Sequence, residues 1–244
     1  MKIDLQKANI WKRISASLFD SLILAIVAVG IGFLLSAVLG YDTYNQTLSN
    51  AYGKYESDYA IEFEITGDEY EAMSEEERAT YDAAYEALLA DEEAMHAYDM
   101  VLNLTMIVIT FGVLIAYLIL EFAVPMRFEN GQTLGKKIFG LGVMRTDAVK
   151  LTTMQLFIRT VLGKFTIETM IPVYIIIMIF FNMIGLQGTV VLVLLGVVQL
   201  IILFATRTRA VIHDLLAGTV VIDINSQRIF KDADALIEHM KKER

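Results

Sequence analysis

Four long apolar stretches divide the chain, and each is long enough to cross a lipid bilayer. Residues 22–39 are 18 positions without a charge, and a helix of that length spans roughly 27 Å of a hydrocarbon core about 30 Å thick. The other stretches are residues 101–124, 167–184 and 189–206, the last two separated by a turn-like Gly185-Leu186-Gln187-Gly188. The pattern predicts an all-α membrane protein with a bundle of about four transmembrane helices, the last two forming a hairpin.

Two alternatives bear on this count. Lys7, Lys12 and Arg13 before the first stretch would also suit a signal peptide, but no clear small-x-small cleavage site follows, so we expect a retained helix. One of the last two stretches could instead be a re-entrant or interfacial segment.

The distribution of basic residues predicts the orientation. Residues 41–100 contain two Lys or Arg, whereas the first twenty residues contain four and residues 126–164 and 207–244 contain seven each. Because Lys and Arg are retained on the cytoplasmic side, we expect both termini inside and residues 41–100 outside. That segment has six Asp and eleven Glu, a net charge of −15 in a chain of net charge −9, so the acidity belongs to one loop.

The predicted organisation has six parts in chain order. They are the cytoplasmic N-terminus and first span (1–40), an acidic extracytoplasmic loop or cap (41–100), the second span (101–124), a cytoplasmic amphipathic connection (125–166), the third and fourth spans (167–206) and a cytoplasmic C-terminal segment (207–244).

The acidic loop has the pattern of a folded insertion. Residues 59–66 alternate as a strand does, and Ser74-Glu75-Glu76-Glu77 is a capping box that would begin a helix. Nine of the chain's eleven tyrosines lie in this loop. An acidic, aromatic surface would attract cations or contact an external partner, although a solvated cap with a tyrosine-rich packing face is the simpler interpretation.

Composition narrows the chemistry. The chain has no cysteine and three histidines, which excludes thiol nucleophiles and thiolate metal sites. Gly131–Lys137 differs from a Walker A loop in the spacing of its glycines and in lacking a Ser or Thr after the lysine. We therefore expect no enzyme, no metal or other cofactor and no nucleic-acid partner.

The connection after the second span has its own pattern. We expect a turn and a short amphipathic segment at residues 134–141, with Lys136 and Lys137 contacting lipid phosphates. Residues 141–144 and 219–224 are short alternating or β-branched runs that would pair as a small cytoplasmic sheet. Thr152 or Thr153 would cap the helix that follows.

Three carboxylates lie near predicted span ends on one side of the membrane. Asp20 comes two residues before the uncharged stretch, so it is either a titrating, cation-binding group or a structural carboxylate paired with a base. Glu121 and Glu168 end the second span and begin the third. The three would line an ion or proton pathway if they converge, or simply reach the headgroups if they do not.

Three cytoplasm-proximal stretches form a recognisable combination. They are Arg13 with Asp20 entering the first helix, Gly131–Lys137, and His213-Asp214-Leu215-Leu216-Ala217-Gly218-Thr219. Together they resemble the RDD membrane-protein family. The resemblance implies that Arg13, Asp20 and Asp214 are the arginine and two aspartates of the family name. The family's members are small bacterial or archaeal membrane proteins, often suggested to be transporters, with sodium/proton exchange proposed for some. The long acidic loop departs from the compact family pattern.

His213-Asp214 lacks the further ligands of a metal site and the nucleophile of a hydrolase. We expect Asp214 to accept from a cytoplasmic arginine such as Arg13 or Arg159. The sequence thus favours a multi-pass protein of a prokaryotic plasma membrane that transports or exchanges a small ion (Na⁺ or H⁺) or another small ligand, as a homo-oligomer. The alternative is a non-transporting accessory protein that regulates another membrane protein.

Overall fold

The computed structural model of the protein describes residues 8–128, 130–180, 183–206 and 210–242. The chain divides into two units, one formed by residues 1–29 with 113–244 and the other by residues 30–112. Within the described ranges, four helices are long and apolar enough to cross a membrane, which confirms the predicted number of apolar helices. These helices are Ile10–Leu39, Glu92–Arg127, Thr153–Phe180 and Gly185–Ala205.

Two of these helices change their hydrogen-bond pattern along their length. The second begins as an α-helix, continues as a π-helix and ends as a short α-helix, and the third has a π-helical middle of 13 residues. In both π-helices the backbone bonds run from residue i+5 to residue i, as from Ile171 N–H to the carbonyl oxygen of Thr166. We label the segments α5 (Glu92–Tyr117), π1 (Leu118–Ala123), α6 (Val124–Arg127), α8 (Thr153–Phe157), π2 (Ile158–Met170) and α9 (Ile171–Phe180).

The first and fourth apolar helices are each one continuous α-helix, and the other elements are shorter. Helix α1 is Ile10–Leu39 and helix α10 is Gly185–Ala205. The others are α2 (Tyr41–Tyr59), α3 (Gly67–Ala72), α4 (Glu75–Ala90), α7 (Leu134–Ile138), β1 (Leu141–Arg145), α11 (Ile212–Ala217), β2 (Thr219–Asp223) and α12 (Ala233–Lys242).

The unit of residues 30–112 contains the acidic segment, and that segment is helical. The predicted capping box is confirmed at the start of α4, where the Ser74 hydroxyl accepts from Glu77 N–H and the Glu77 carboxylate accepts from Ser74 N–H. The predicted strand at residues 59–66 is wrong, because α2 runs to Tyr59 and an irregular segment follows it. Phe63 in that segment packs edge-on against aromatic rings of α2 and α4, and the alternation reflects three half-buried side chains, Ile61, Phe63 and Ile65, rather than strand pairing. The rings are those of Tyr52, Tyr81 and Tyr85.

In the other unit, the predicted strand pairing is confirmed. Strands β1 and β2 are antiparallel, with Val143 opposite Val221 and Met144 opposite Val220. One face of the sheet packs on Ala16 of α1, and the other packs on Ala148 with Ile229 and Phe230 nearby. Both faces of the sheet are therefore buried, one of them against the N-terminal part of α1.

Two boundaries concern the third and fourth helices. Thr152 caps the third helix with a capping box to Gln155, as predicted for Thr152 or Thr153. The expected turn at residues 185–188 is instead the first turn of α10. Gly188 N–H donates to the carbonyl oxygen of Ile184 at 3.3 Å, which is the i+4 to i bond of an α-helix.

We expect Met144→Ala to lower the stability of this unit, because Met144 is 0% exposed and its removal would leave a cavity in the sheet. Truncation of a buried methionine costs about 2–5 kcal/mol. Met154→Ala is the matched control, because Met154 is 66% exposed. Thermal unfolding of purified protein in detergent should show a clear fall in Tm for Met144→Ala alone, and equal Tm values for the two variants would contradict the assigned core.

Candidate functional site

A cavity of about 370 Å³ lies at one end of the helices in the unit of residues 1–29 and 113–244. It brings together Asp20, Glu121 and Glu168, the three carboxylates singled out in the sequence. Basic side chains from several elements line the same space, so the cavity is mixed in charge rather than acidic. The charged residues and the histidine that line it are Arg13, Asp20, Glu121, Lys136, Arg159, Lys164, Glu168, His213 and Asp214.

Asp20 of α1 faces the first turn of α7. Its Oδ1 accepts a hydrogen bond from Gly135 N–H at 2.7 Å, and its Oδ2 accepts from the Thr133 hydroxyl at 2.5 Å. Thr133 is also the N-cap of α7, where its hydroxyl accepts from Lys136 N–H. The partners of Asp20 therefore come from the Gly131–Lys137 stretch, more than a hundred residues further along the chain.

Lys136 is the basic partner of Asp20. Its Nζ lies 3.6 Å from Asp20 Oδ2 and donates to the Thr133 hydroxyl at 3.0 Å. Lys136 is only 7% exposed, and burial together with the neighbouring Lys164 lowers the pKa of its ammonium to about 8. The adjacent Lys137 instead lies 3.9 Å from the centre of the Phe128 ring.

This geometry corrects the expected placement of the two lysines. Consecutive residues on a helix point about 100° apart, so Lys136 and Lys137 cannot both face the lipid. Lys136 faces the carboxylate of Asp20 instead of lipid phosphates, because its ammonium gains a charged partner there. Lys137 remains on the exposed side of α7.

Glu121 of π1 pairs with the third helix. Its Oε2 lies 2.6 Å from Lys164 Nζ, and its backbone carbonyl accepts from the Thr160 hydroxyl at 2.8 Å. Both partners belong to π2, so one residue of the second helix is bonded through its side chain and its backbone. This double contact holds the two π-helical segments together beside the cavity.

Glu168 accepts two hydrogen bonds from His213, one from its backbone N–H at 3.0 Å and one from ring Nδ1 at 2.7 Å. The other ring nitrogen, Nε2, lies 2.9 Å from an amino group of Arg159. Because a guanidinium only donates, Nε2 must accept and Nδ1 must carry the proton. Burial, followed by the charge of Arg159, lowers the pKa of His213 well below its usual value, so His213 is neutral.

Asp214 is 1% exposed and is the most connected carboxylate of the site. Arg159 lies 3.0 Å from its Oδ1 and Arg13 lies 3.5 Å from its Oδ2. The Thr219 hydroxyl also donates to Oδ1 at 2.9 Å. Both arginines considered as partners from the sequence therefore contact Asp214, and they join α1 and the third helix to α11 and β2.

The π-helical geometry aligns the cavity-lining residues of the third helix. Arg159, Lys164 and Glu168 are separated by five and nine positions, which on an α-helix would place the second and third about 140° and 180° from the first. With roughly 4.4 residues per turn in a π-helix, all three fall within about 50° of one another. The widened backbone of π2 is thus what directs these three side chains into one cavity.

Two glycines allow the surrounding elements to approach closely. A Cβ at Gly135 would collide with the carbonyl oxygen of Ala16 and lie 2.9 Å from Asp20 Oδ1. A Cβ at Gly163 would lie 2.5 Å from the Cβ of His213. These positions bring α7 against α1 and α11 against π2, and all four elements carry residues that line the cavity.

Sequence reasoning missed three groups of this site: the inward face of Lys136, the Lys164 partner of Glu121 and the Glu168–His213 pair. One signal was available: Lys164 lies three residues before the predicted third span and four before Glu168, and a basic residue so close to a membrane helix suggests a carboxylate partner. The pairing itself depends on contacts between distant segments.

We expect Gly135→Ala to lower the folded yield, because the added methyl group would collide with backbone of α1 and push the Asp20 carboxylate away from α7. Gly30→Ala is the control, because a Cβ at Gly30 would meet nothing within 4 Å. Size-exclusion chromatography after detergent extraction should show a smaller monodisperse peak for Gly135→Ala and a normal peak for Gly30→Ala. An undisturbed Gly135→Ala profile would contradict the close contact of α7 with α1.

Comparison with known proteins identifies the family of this chain. No curated protein and no solved structure shows a significant match to the chain. The model of the RDD family matches residues 7–218, which include Arg13, Asp20 and Asp214. With most of its length covered by this match and with several apolar helices of membrane-spanning length, the protein is a membrane protein that belongs to the RDD family.

Proposed function

We propose that this protein exchanges Na⁺ for H⁺ across the bilayer and that Asp20 is the exchanging carboxylate. The observation that carries the proposal is the contact between Asp20 and the buried ammonium of Lys136 inside a charged cavity. Ionisable groups within membrane-spanning helices commonly mark ion and proton pathways, and Asp20 lies within the first apolar helix. The proposed function is transport and not an enzymatic reaction.

The exchange itself needs one carboxylate and one amine. When Lys136 loses its proton, the negative charge of Asp20 is left without a positive partner. A Na⁺ ion then takes the place of the lost proton, bound by both Asp20 oxygens and by the Thr133 hydroxyl, since hard cations prefer oxygen ligands. Reprotonation of Lys136 displaces the ion.

The remaining charges support this exchange by keeping the cavity neutral. Because His213 is neutral, the charged side chains that line the cavity are four basic groups and four carboxylates. Replacing one proton by one Na⁺ leaves that balance unchanged, so neither state buries a net charge. In this mechanism Glu121 and Glu168 assist by holding Lys164 and His213 in place.

The alternative function is that of a non-transporting accessory protein that binds another membrane protein. One observation favours it: each carboxylate of the cavity already has a hydrogen-bonding or ionic partner within the chain. A purely structural polar core would have the same property. The acidic segment of residues 41–100 would then be the surface for an external partner.

The two functions differ in a flux measurement. We expect wild type in liposomes with an internal pH-sensitive dye to release protons when Na⁺ is added outside. Asp20→Asn keeps the size of the side chain but cannot balance a cation, so its coupled flux should fall at least tenfold. Asp20→Glu should retain part of the flux. If wild type shows no Na⁺-dependent proton movement, or if Asp20→Asn has normal flux, ion exchange through Asp20 is rejected and the accessory function is favoured.

The pH dependence should come from Lys136. Because its pKa is about 8, protonated Lys136 opposes Na⁺ at lower pH, and apparent Na⁺ affinity should rise roughly tenfold per pH unit up to about pH 8 and then level off. Lys136→Gln should abolish this dependence, whereas the matched control Lys137→Gln should keep it. A pH profile that survives in Lys136→Gln would show that another group carries the proton.

We further propose that both termini are cytoplasmic, as the Lys and Arg distribution favours. The chain has no cysteine, so single cysteines at Ser57 and Gln227 provide unambiguous labels. In intact cells a membrane-impermeant maleimide should label Ser57→Cys and leave Gln227→Cys unlabelled until the cells are opened. External labelling of Gln227→Cys would reverse the orientation.

A further inference from the structure

A second cavity, separate from the charged site, lies between the end of the second apolar helix and the start of the third. Its volume is about 350 Å³, which is within the roughly 300–1,000 Å³ of small-molecule sites. Arg127 is the last residue of the second helix and Thr153 the first of the third, so this cavity lies where two membrane helices reach the bilayer surface. It is lined by Pro125, Met126, Arg127, Phe128, Asn130, Gly131, Val143, Lys150, Leu151, Thr152, Thr153 and Leu156.

The lining contains two cations whose charge is not balanced within the described residues. Neither Arg127 nor Lys150 forms an ion pair with any residue of the described ranges. This contrasts with the first cavity, where every basic side chain faces a carboxylate. The Thr153 hydroxyl, which also lines the cavity, has no hydrogen-bond partner in the same part of the chain.

The surroundings of the two cations are partly apolar. Met126, in the lining, is 54% exposed, and Met154 on the adjoining turn is strongly exposed as well. Lys137 adds a third positive charge beside the lining, since it lies over the Phe128 ring. Cationic groups beside exposed apolar side chains at a bilayer surface are complementary to an anionic lipid, with its phosphate in the cavity and its chains beside the methionines.

We propose that this cavity binds a phosphate group and that the group is the headgroup phosphate of an anionic membrane lipid. Arg127 and Lys150 provide the opposing charges, and the Thr153 hydroxyl donates a hydrogen bond to a phosphate oxygen. The inference does not depend on ion exchange, because none of these residues lines the first cavity.

Native mass spectrometry of the full-length protein in detergent tests the proposal, with phosphatidylglycerol and phosphatidylcholine added at equal concentrations. Wild type should retain phosphatidylglycerol in preference to phosphatidylcholine. The double variant Arg127→Gln/Lys150→Gln should bind phosphatidylglycerol at least tenfold more weakly. Arg228→Gln/Lys231→Gln removes the same charges outside the cavity lining and should bind like wild type.

Folding and the source of the phosphate are controlled separately. The Tm of each variant establishes that it is folded, and Lys150→Arg, which keeps the charge, should retain the lipid. Displacement of the lipid by millimolar inorganic phosphate would support a phosphate site but assign it to a soluble ligand. Unchanged phosphatidylglycerol binding in the folded double variant would overturn the proposal.

Discussion

The polar end of the larger unit depends on the burial of one carboxylate, Asp214. A buried carboxylate without partners costs several kcal/mol, and removing one partner of a buried ion pair typically costs about 3–5 kcal/mol. Asp214 is satisfied only when Arg13, Arg159 and Thr219 are all in place. Because these residues lie on three different elements, helix α1, the third helix and strand β2 must assemble around the same point.

Much of this architecture could be predicted from local pattern. Uncharged runs of about 18 residues predict membrane helices directly, and the capping box at Ser74 depends on residues three positions apart. The short apolar and β-branched runs of β1 and β2 indicate a buried pair of strands. The same logic failed at residues 59–66, where the alternation has no partner strand. Half-buried side chains of an irregular segment, those of Ile61, Phe63 and Ile65, account for the pattern there.

The site could be predicted only in part, because its geometry departs from the α-helical period. An α-helical projection separates Arg159 from Glu168, and only the π-helical backbone of π2 brings them onto one face. The choice between Lys136 and Lys137 is likewise invisible in a pair of adjacent lysines. It is decided by the approach of α7 to Asp20, a contact between segments more than a hundred residues apart.

The position of His213 and Asp214 in the chain has a consequence for biosynthesis. Both residues follow the fourth apolar helix, yet they are partners of Arg159 and Glu168 in the third. During synthesis the third helix is therefore made before two of its partners exist: Asp214, which opposes the charge of Arg159, and His213, which donates hydrogen bonds to Glu168. Until residues 210–223 have emerged from the ribosome, the nascent protein must keep these charges at the membrane surface or shield them with insertion factors. The polar contacts of the third helix are thus completed only when this short segment, made after the last apolar helix, packs against it.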